Sequence, residues 1–290
     1  MYRKPRGTLI IIGGGVTEDM KEDGAGRAIM QELSTRARKG GGAVGLVTAS
    51  THQPEETIKT YKKIFRDLGV ERTEVIDIRS REDACLKENV DKLIKSTVIY
   101  LSGGDQLRLT SQVGDSPVFR CMKELYMDGT TIAGSSAGAA AMSDTMLIHG
   151  PDDETVELSA LGMAPGLGFI NGVVIDTHFA ERGRLGRMLS AVAQNPATLG
   201  VGIDENTAII VERGERFRVI GGGAAYVVDG TNLSYTNLSE SRPEGVISIF
   251  GMKLDVLGVG DRYDLIERQP WSESGEKGEA SLAGGVALAR

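Results

Sequence analysis

Thr8-Leu9-Ile10-Ile11-Ile12-Gly13-Gly14-Gly15 is a short apolar, β-branched run stopped by three glycines. A run of this length with no polar alternation suits a strand buried on both faces of a parallel sheet. Gly26–Lys39 follows, with Ile29, Leu33 and Ala37 four apart, basic residues in its last turn and Gly40 as a stop, which predicts a helix. The pair of signals then recurs. Ala43–Thr48, Thr73–Ile78 and Thr97–Leu101 read as strands. Pro54–Leu68 reads as a helix with Ile58, Tyr61, Phe65 and Leu68 on one face, and Glu82–Lys95 as another with Leu86, Val90, Leu93 and Ile94 inward. Val118–Asp128 reads as a helix, Thr131–Ala133 as a short strand and Ala137–Met142 as a helix start. This alternation predicts an α/β fold, a doubly wound and mostly parallel sheet with helices on both faces.

The second half changes character. Val173–Asp176, Leu199–Ile203, Ala208–Glu212, Arg216–Ile220 and Ala225–Val228 are strand-like, Arg184–Gln194 is helical, and Val246–Val256 adds β-like sequence. The expectation is completion of the same sheet plus extra β-hairpins at its edge. Residues 1–268 then form a single α/β domain, and 269–290, rich in Ser, Gly and Glu after Gln269, a mobile tail.

Composition narrows the function. Lys+Arg 33 against Asp+Glu 40 leaves a net charge of −7, which disfavours a nucleic-acid coat or an anionic-membrane binder. The 40% hydrophobic and 25% charged content is that of a soluble globular protein. The uncharged stretch Leu158–Ile175 is broken by Gly162, Pro165, Gly166, Gly168, Asn171 and Gly172, so it reads as loops around a short strand rather than a membrane span. Leu9–Ile12 is too short an apolar core for a signal peptide. Cys85 and Cys121 are the only cysteines, too few for a disulfide framework or a four-thiolate zinc site, and a cytoplasmic protein is the expectation. Gly13–Gly15 and Gly221–Gly223 match neither dinucleotide nor P-loop patterns, so no cofactor and no metal is expected. A homodimer is left open.

The sharpest local signal is Ile132-Ala133-Gly134-Ser135-Ser136-Ala137-Gly138-Ala139. It contains G-x-S-x-G between a strand and a helix start, the setting of a nucleophile elbow at Ser136, with backbone N–H groups at the helix start for an oxyanion. A serine nucleophile needs a base, and the chain has three histidines: His52, His149 and His178. His178 directly follows the apolar strand Val173–Asp176, at a strand end where open α/β sheets place their sites; His52 looks like a helix-entry residue and His149 lies in a turn. An orienting acid could come from Asp204 or Glu205, at the end of Leu199–Ile203, or from the loop run Asp152-Asp153-Glu154. The strand end favours Glu205. The order Ser136, His178, Glu205 differs from that of the α/β-hydrolases. Arg182, Arg184 and Arg187 lie near the base and could fork onto a substrate carboxylate, or simply be a solvated helix start.

Taken together, Ser102-Gly103-Gly104-Asp105-Gln106, Gly134–Ala139, Asp176-Thr177-His178-Phe179 with Arg182, Arg184 and Arg187, and Gly202-Ile203-Asp204-Glu205-Asn206-Thr207-Ala208 resemble the cyanophycinase family. The resemblance implies a serine exopeptidase on a flavodoxin-like, class I glutamine amidotransferase-like sheet, related to dipeptidase E. It implies as substrate cyanophycin, a poly-aspartate with arginine on each β-carboxyl, released as β-Asp-Arg dipeptides. By position it implies Ser136 as nucleophile, His178 as base and Glu205 as orienting acid, with Gln106, Asp176, Arg182, Arg184 and Arg187 lining the substrate pocket. The implied oxyanion donors are the backbone N–H groups of Gly104 and Ala137. Two positions depart from the family's habit: Thr177 where glutamine often precedes the histidine, and Ser135 where threonine is frequent. An aspartyl or isoaspartyl dipeptidase on the same fold is the alternative, and a catalytically silent binding protein is disfavoured because serine, histidine and glutamate are all present.

Overall fold

In the computed structural model, residues 4–150, 161–240 and 245–271 are described. The first half builds β1 (Thr8–Ile12), α1 (Ala25–Lys39), β2 (Ala43–Val47), α2 (Pro54–Asp67), β3 (Arg72–Ile76), α3 (Lys87–Ile94), β4 (Val98–Leu101), α4 (Gln106–Val113), α5 (Pro117–Asp128), β5 (Thr131–Ser135) and α6 (Ala137–Ala140). The second half adds β6 (Thr145–His149), β7 (Gly162–Pro165), β8 (Val173–Thr177), α7 (Leu185–Gln194), β9 (Leu199–Ile203), β10 (Thr207–Glu212), β11 (Arg216–Gly221), β12 (Ala225–Asp229), β13 (Tyr235–Thr236), β14 (Ile249–Phe250), β15 (Lys253–Leu257), β16 (Arg262–Asp264) and β17 (Gln269–Pro270).

Five strands pair in parallel in the order β1-β5-β4-β2-β3. Their side chains alternate between two apolar layers. Ile10, Ile12, Val44, Leu46, Val98 and Tyr100 meet α1 and α2 on one face. Leu9, Ile11, Ile99, Leu101 and Ile132 face α3, α4 and α5 on the other. Every residue from Leu9 to Ile12 is 0% exposed, so the continuous apolar run is explained by burial on both faces. Each such side chain contributes roughly 1.5–3 kcal/mol of burial. This is the doubly wound, flavodoxin-like arrangement.

Several local readings change. Glu82–Lys95 is not one helix: a 3₁₀ turn at Asp83–Cys85 gives way to α3 at Leu86, whose backbone is extended (φ −69°, ψ 128°). α4 has no counterpart in the sequence reading. Asp105 caps it, accepting the N–H groups of Leu107 at 2.8 Å and Arg108 at 3.1 Å.

The larger correction concerns the second half. β10, β11, β16 and β17 extend the main sheet antiparallel beyond β1, as completion of that sheet requires. β8 and β9 do not join it. They form a separate four-stranded sheet, β15-β12-β9-β8. Val173, Ile175, Leu199, Val201 and Ile203 of this sheet pack into the core shared with the main sheet, while Val174 and Val228 face α7. Glycines make the α7 side close-fitting: a Cβ at Gly200 would lie 2.4 Å from Met188 Sδ, and one at Gly202 2.4 Å from Phe179 Cδ2. Past residue 268, β17 pairs with β16, and Trp271 stacks against the Arg216 and Arg262 guanidiniums. The tail beyond Trp271 lies outside the described residues, as does Asp152-Asp153-Glu154. Among the described residues no helix is long and apolar enough to cross a membrane.

Candidate active site

Ser136 sits between β5 and α6 with φ 53° and ψ −116°, a backbone conformation that costs an L-residue roughly 1–3 kcal/mol. Its flanking glycines make the turn sterically feasible. A Cβ at Gly134 would lie 2.5 Å from the Gly138 carbonyl oxygen, and one at Gly138 would lie 2.4 Å from that of Leu101. β4 ends beside β5, with Leu101 in register with Gly134, so the Ser102-Gly103-Gly104 turn arrives at the same rim. A Cβ added to Gly103 would lie 3.5 Å from Ser136 Cβ, so this turn passes close to the serine.

The other two side chains arrive from the smaller sheet. β8 and β9 are parallel, with Thr177 in register with Ile203, so the residues after each leave at the same end. His178 Nε2 lies 2.9 Å from Ser136 Oγ, and His178 Nδ1 lies 2.5 Å from Glu205 Oε1. With Nδ1 protonated toward Glu205, Nε2 can accept a proton from the hydroxyl. Ser135 is buried and hydrogen-bonded to the Tyr100 hydroxyl, whereas Ser136 is partly exposed. Ser136 hydrogen-bonds neither His52, exposed in the loop between β2 and α2, nor His149 at the end of β6.

Asp204 has a different task from its neighbour. Its Oδ1 accepts the Ala180 N–H at 2.9 Å, and its Oδ2 accepts the Ala224 N–H at 3.0 Å and the Tyr226 hydroxyl at 3.5 Å. Asp204 thus ties the turn after His178 to the start of β12. Burial and the adjacent Asp204 carboxylate push the Tyr226 hydroxyl up from its ordinary pKa. Glu181, which sequence reasoning missed, accepts the Glu205 N–H at 3.1 Å; nothing in its spacing marked it.

The substrate-pocket residues carried by resemblance separate into two groups. Asp176 is 2% exposed, with Arg184 and Arg187 at 8% and 6%. Arg187 Nε donates to Asp176 Oδ2 at 2.6 Å and its Nη2 to Oδ1, while Arg184 Nη1 donates to Asp176 Oδ1 at 3.2 Å and to the Thr177 carbonyl at 2.7 Å. The bidentate fork expected on a substrate carboxylate is therefore made with a carboxylate of the chain itself. The reason is that a carboxylate this deeply buried requires cationic partners, and Arg184 and Arg187, at the start of α7, share the face that meets it. Arg182 is exposed, with no ion pair among the described residues. Gln106, in the first turn of α4, donates from Nε2 to the Leu147 carbonyl at 2.8 Å. The N–H groups of Gly104 and Ala137 have no acceptor among the described residues, which leaves both available to a developing oxyanion. No group of three or more His, Cys, Asp or Glu able to hold a metal occurs among the described residues.

A family profile described as peptidase family S51 matches residues 9–220. A cyanophycinase of Nostoc sp. is 36% identical over 270 residues, covering 92% of this chain and 89% of that protein. A cyanophycinase of Geminocystis herdmanii is 34% identical over 266 residues, covering 91% and 96%. The crystal structure of a peptidase from an acI-B1 Actinobacterium shares the fold, with a TM-score of 0.63 at 20% identity over 90% of this chain and 98% of that one.

Proposed function

The chain belongs to peptidase family S51, and from that premise we propose that it is a serine exopeptidase that hydrolyses cyanophycin to β-Asp-Arg dipeptides. The observation that carries the reading is the contact line Ser136 Oγ, His178 Nε2, His178 Nδ1, Glu205 Oε1, with spans of 2.9 and 2.5 Å. Ser136 Oγ attacks the backbone carbonyl of an aspartyl residue, and His178 Nε2 takes the hydroxyl proton. The C=O electrons move onto oxygen, where the Gly104 and Ala137 N–H groups hold the charge. The intermediate collapses, the C–N bond breaks, and His178 returns its proton to the leaving amine. Water, deprotonated by the same imidazole, then releases the acyl group from Ser136. Glu205 holds Nδ1–H throughout and stabilises the imidazolium without itself becoming protonated.

Substrate recognition needs charge of both signs, since every repeat unit carries an arginine guanidinium and that arginine's free carboxylate. Arg182 supplies the accessible cation for the carboxylate. Asp176, Arg184 and Arg187 act as a buried wall that fixes the turn bearing Arg182. The same reading takes residues 1–268 as one peptidase domain, and includes a cytoplasmic location and a homodimer, which cell fractionation and light scattering on the purified chain test.

Incubating the purified protein with cyanophycin and, separately, with β-Asp-Arg tests the activity. Polymer loss with β-Asp-Arg accumulation is the expected result. Cleavage of the dipeptide with the polymer untouched would move the assignment to a dipeptidase, and no cleavage of either would end the peptide-bond reading of these two substrates.

A further inference from the structure

The glycine run that opens the chain's first loop, unremarkable as a nucleotide-binding signal, lies under the site. Three consecutive carbonyls at the end of β1 each accept a backbone N–H from one of the segments that supply the catalytic groups. Ile12 O accepts the Ser136 N–H at 3.0 Å, Gly13 O accepts that of His178 at 2.8 Å, and Gly14 O accepts that of Asn206, the residue after Glu205, at 2.9 Å. Ser136, His178 and Asn206 have φ values of 53°, 50° and 51°, so each segment turns through the left-handed region as it meets its carbonyl. The three turns come from two different sheets, so the end of β1 sets their relative register.

Contacts above the backbone point the same way. A Cβ on Gly14 would lie 2.3, 2.6 and 2.8 Å from Cε1, Nε2 and Nδ1 of His178, so the imidazole rests on the bare Gly14 backbone. A Cβ on Gly15 would lie 3.1 Å from Glu205 Oε2, and one on Gly13 2.0 Å from the Asp204 carbonyl oxygen. Resting on the Ser136, His178 and Glu205 assignment above, we propose that Gly13-Gly14-Gly15 is the positioning element of the site. Gly14 sets the height of the imidazole between Ser136 and Glu205, and the Ile12–Gly14 carbonyls hold the three turns in register. None of these residues need touch substrate. Their effect is on whether His178 reaches Ser136 Oγ, and a misplacement of about 1 Å at such a contact lowers rate about a hundredfold.

The test is a matched pair in the full chain. Gly14 has φ 124° and Gly129, at the end of α5, has φ 123°, but a Cβ on Gly129 meets nothing within 4 Å. Gly14→Ala and Gly129→Ala therefore impose the same kind of backbone strain, and only the first intrudes on the imidazole. Gly14→Ala is expected to lower kcat on cyanophycin about a hundredfold with KM little changed. In a Ser136→Ala background it should leave β-Asp-Arg affinity unchanged, and Gly129→Ala should keep kcat near wild type. If Gly14→Ala does not fold, Gly15→Ala, whose Cβ presses on Glu205 at 3.1 Å, decides by the same split between kcat and KM. A folded Gly14→Ala with wild-type kcat, a loss equalled by Gly129→Ala, or a loss of affinity matching the loss of rate would overturn the proposal. Activity surviving in Ser136→Ala alone would instead remove the assignment beneath it.

Discussion

Arg187 closes on both oxygens of the Asp176 carboxylate, Nε donating to Oδ2 at 2.6 Å and Nη2 to Oδ1. Asp176 is two residues before His178 on β8, so this buried fork anchors the strand end that delivers the imidazole. Arg187→Ala would leave the carboxylate short of a partner in the interior. The expected outcome is a loss of stability of about 3–5 kcal/mol, read from urea denaturation, with activity falling in proportion to the folded fraction. Arg187→Lys should recover only part of it, since an ammonium cannot reproduce the two parallel bonds. An unchanged urea midpoint in Arg187→Ala, with KM raised, would show that the arginine serves the substrate instead.

Arg182 should behave in the opposite way. It is exposed and unengaged among the described residues, so Arg182→Ala should leave the thermal midpoint unchanged and raise KM for the polymer about tenfold, the cost of one charge-assisted hydrogen bond. An unchanged KM would return Arg182 to a solvated surface position.

Ser136 and Ser135 are adjacent but face different surroundings. Ser136→Ala should reduce kcat by about 10⁵-fold or more, as loss of a nucleophile does, without unfolding the chain. Ser135→Ala should retain kcat within a few-fold and lose about 1 kcal/mol of stability, because its buried hydroxyl contributes a hydrogen bond and no chemistry. The reverse pattern would shift the nucleophile by one residue.

Glu205→Gln should lower kcat by roughly 10²–10⁴-fold, since an amide no longer favours the Nδ1–H tautomer, and should leave KM nearly unchanged. The effect should be smaller than that of Ser136→Ala, because Glu205 is 32% exposed and water can partly substitute for it. A KM effect as large as the kcat effect would place Glu205 in substrate binding.

Asp83 provides a pH test remote from the site. The N–H groups of Arg79 and Ser80 donate to its carboxylate at 2.9 Å each and hold its pKa below the ordinary aspartate value. A folded-state value below the unfolded one contributes stability that is present above about pH 4 and lost as the pH falls through the folded value. Asp83→Asn should therefore flatten the decline in stability below pH 4 and leave the profile near neutrality the same in shape. An unaltered acid limb would rule out that contribution.

Much of the first half was legible along the chain because its signals are local. The apolar run Thr8–Ile12, the spacing of Ile29, Leu33 and Ala37, and the stop at Gly40 depend on period and backbone freedom alone, and β1 and α1 appear where those signals lie. Gly134-Ser135-Ser136-Ala137-Gly138 is likewise self-contained, since its glycines answer clashes within the turn and with the neighbouring strand. Tertiary structure alone decided which sheet β8 and β9 join, because an apolar strand suits any buried sheet, and the close fit of Gly200 and Gly202 under Met188 and Phe179 arises only once the chain has folded. It also decided the partner of Arg187. A guanidinium fork is the same chemical object whether its carboxylate belongs to a ligand or to Asp176, eleven residues earlier, and only folding brings the second within reach.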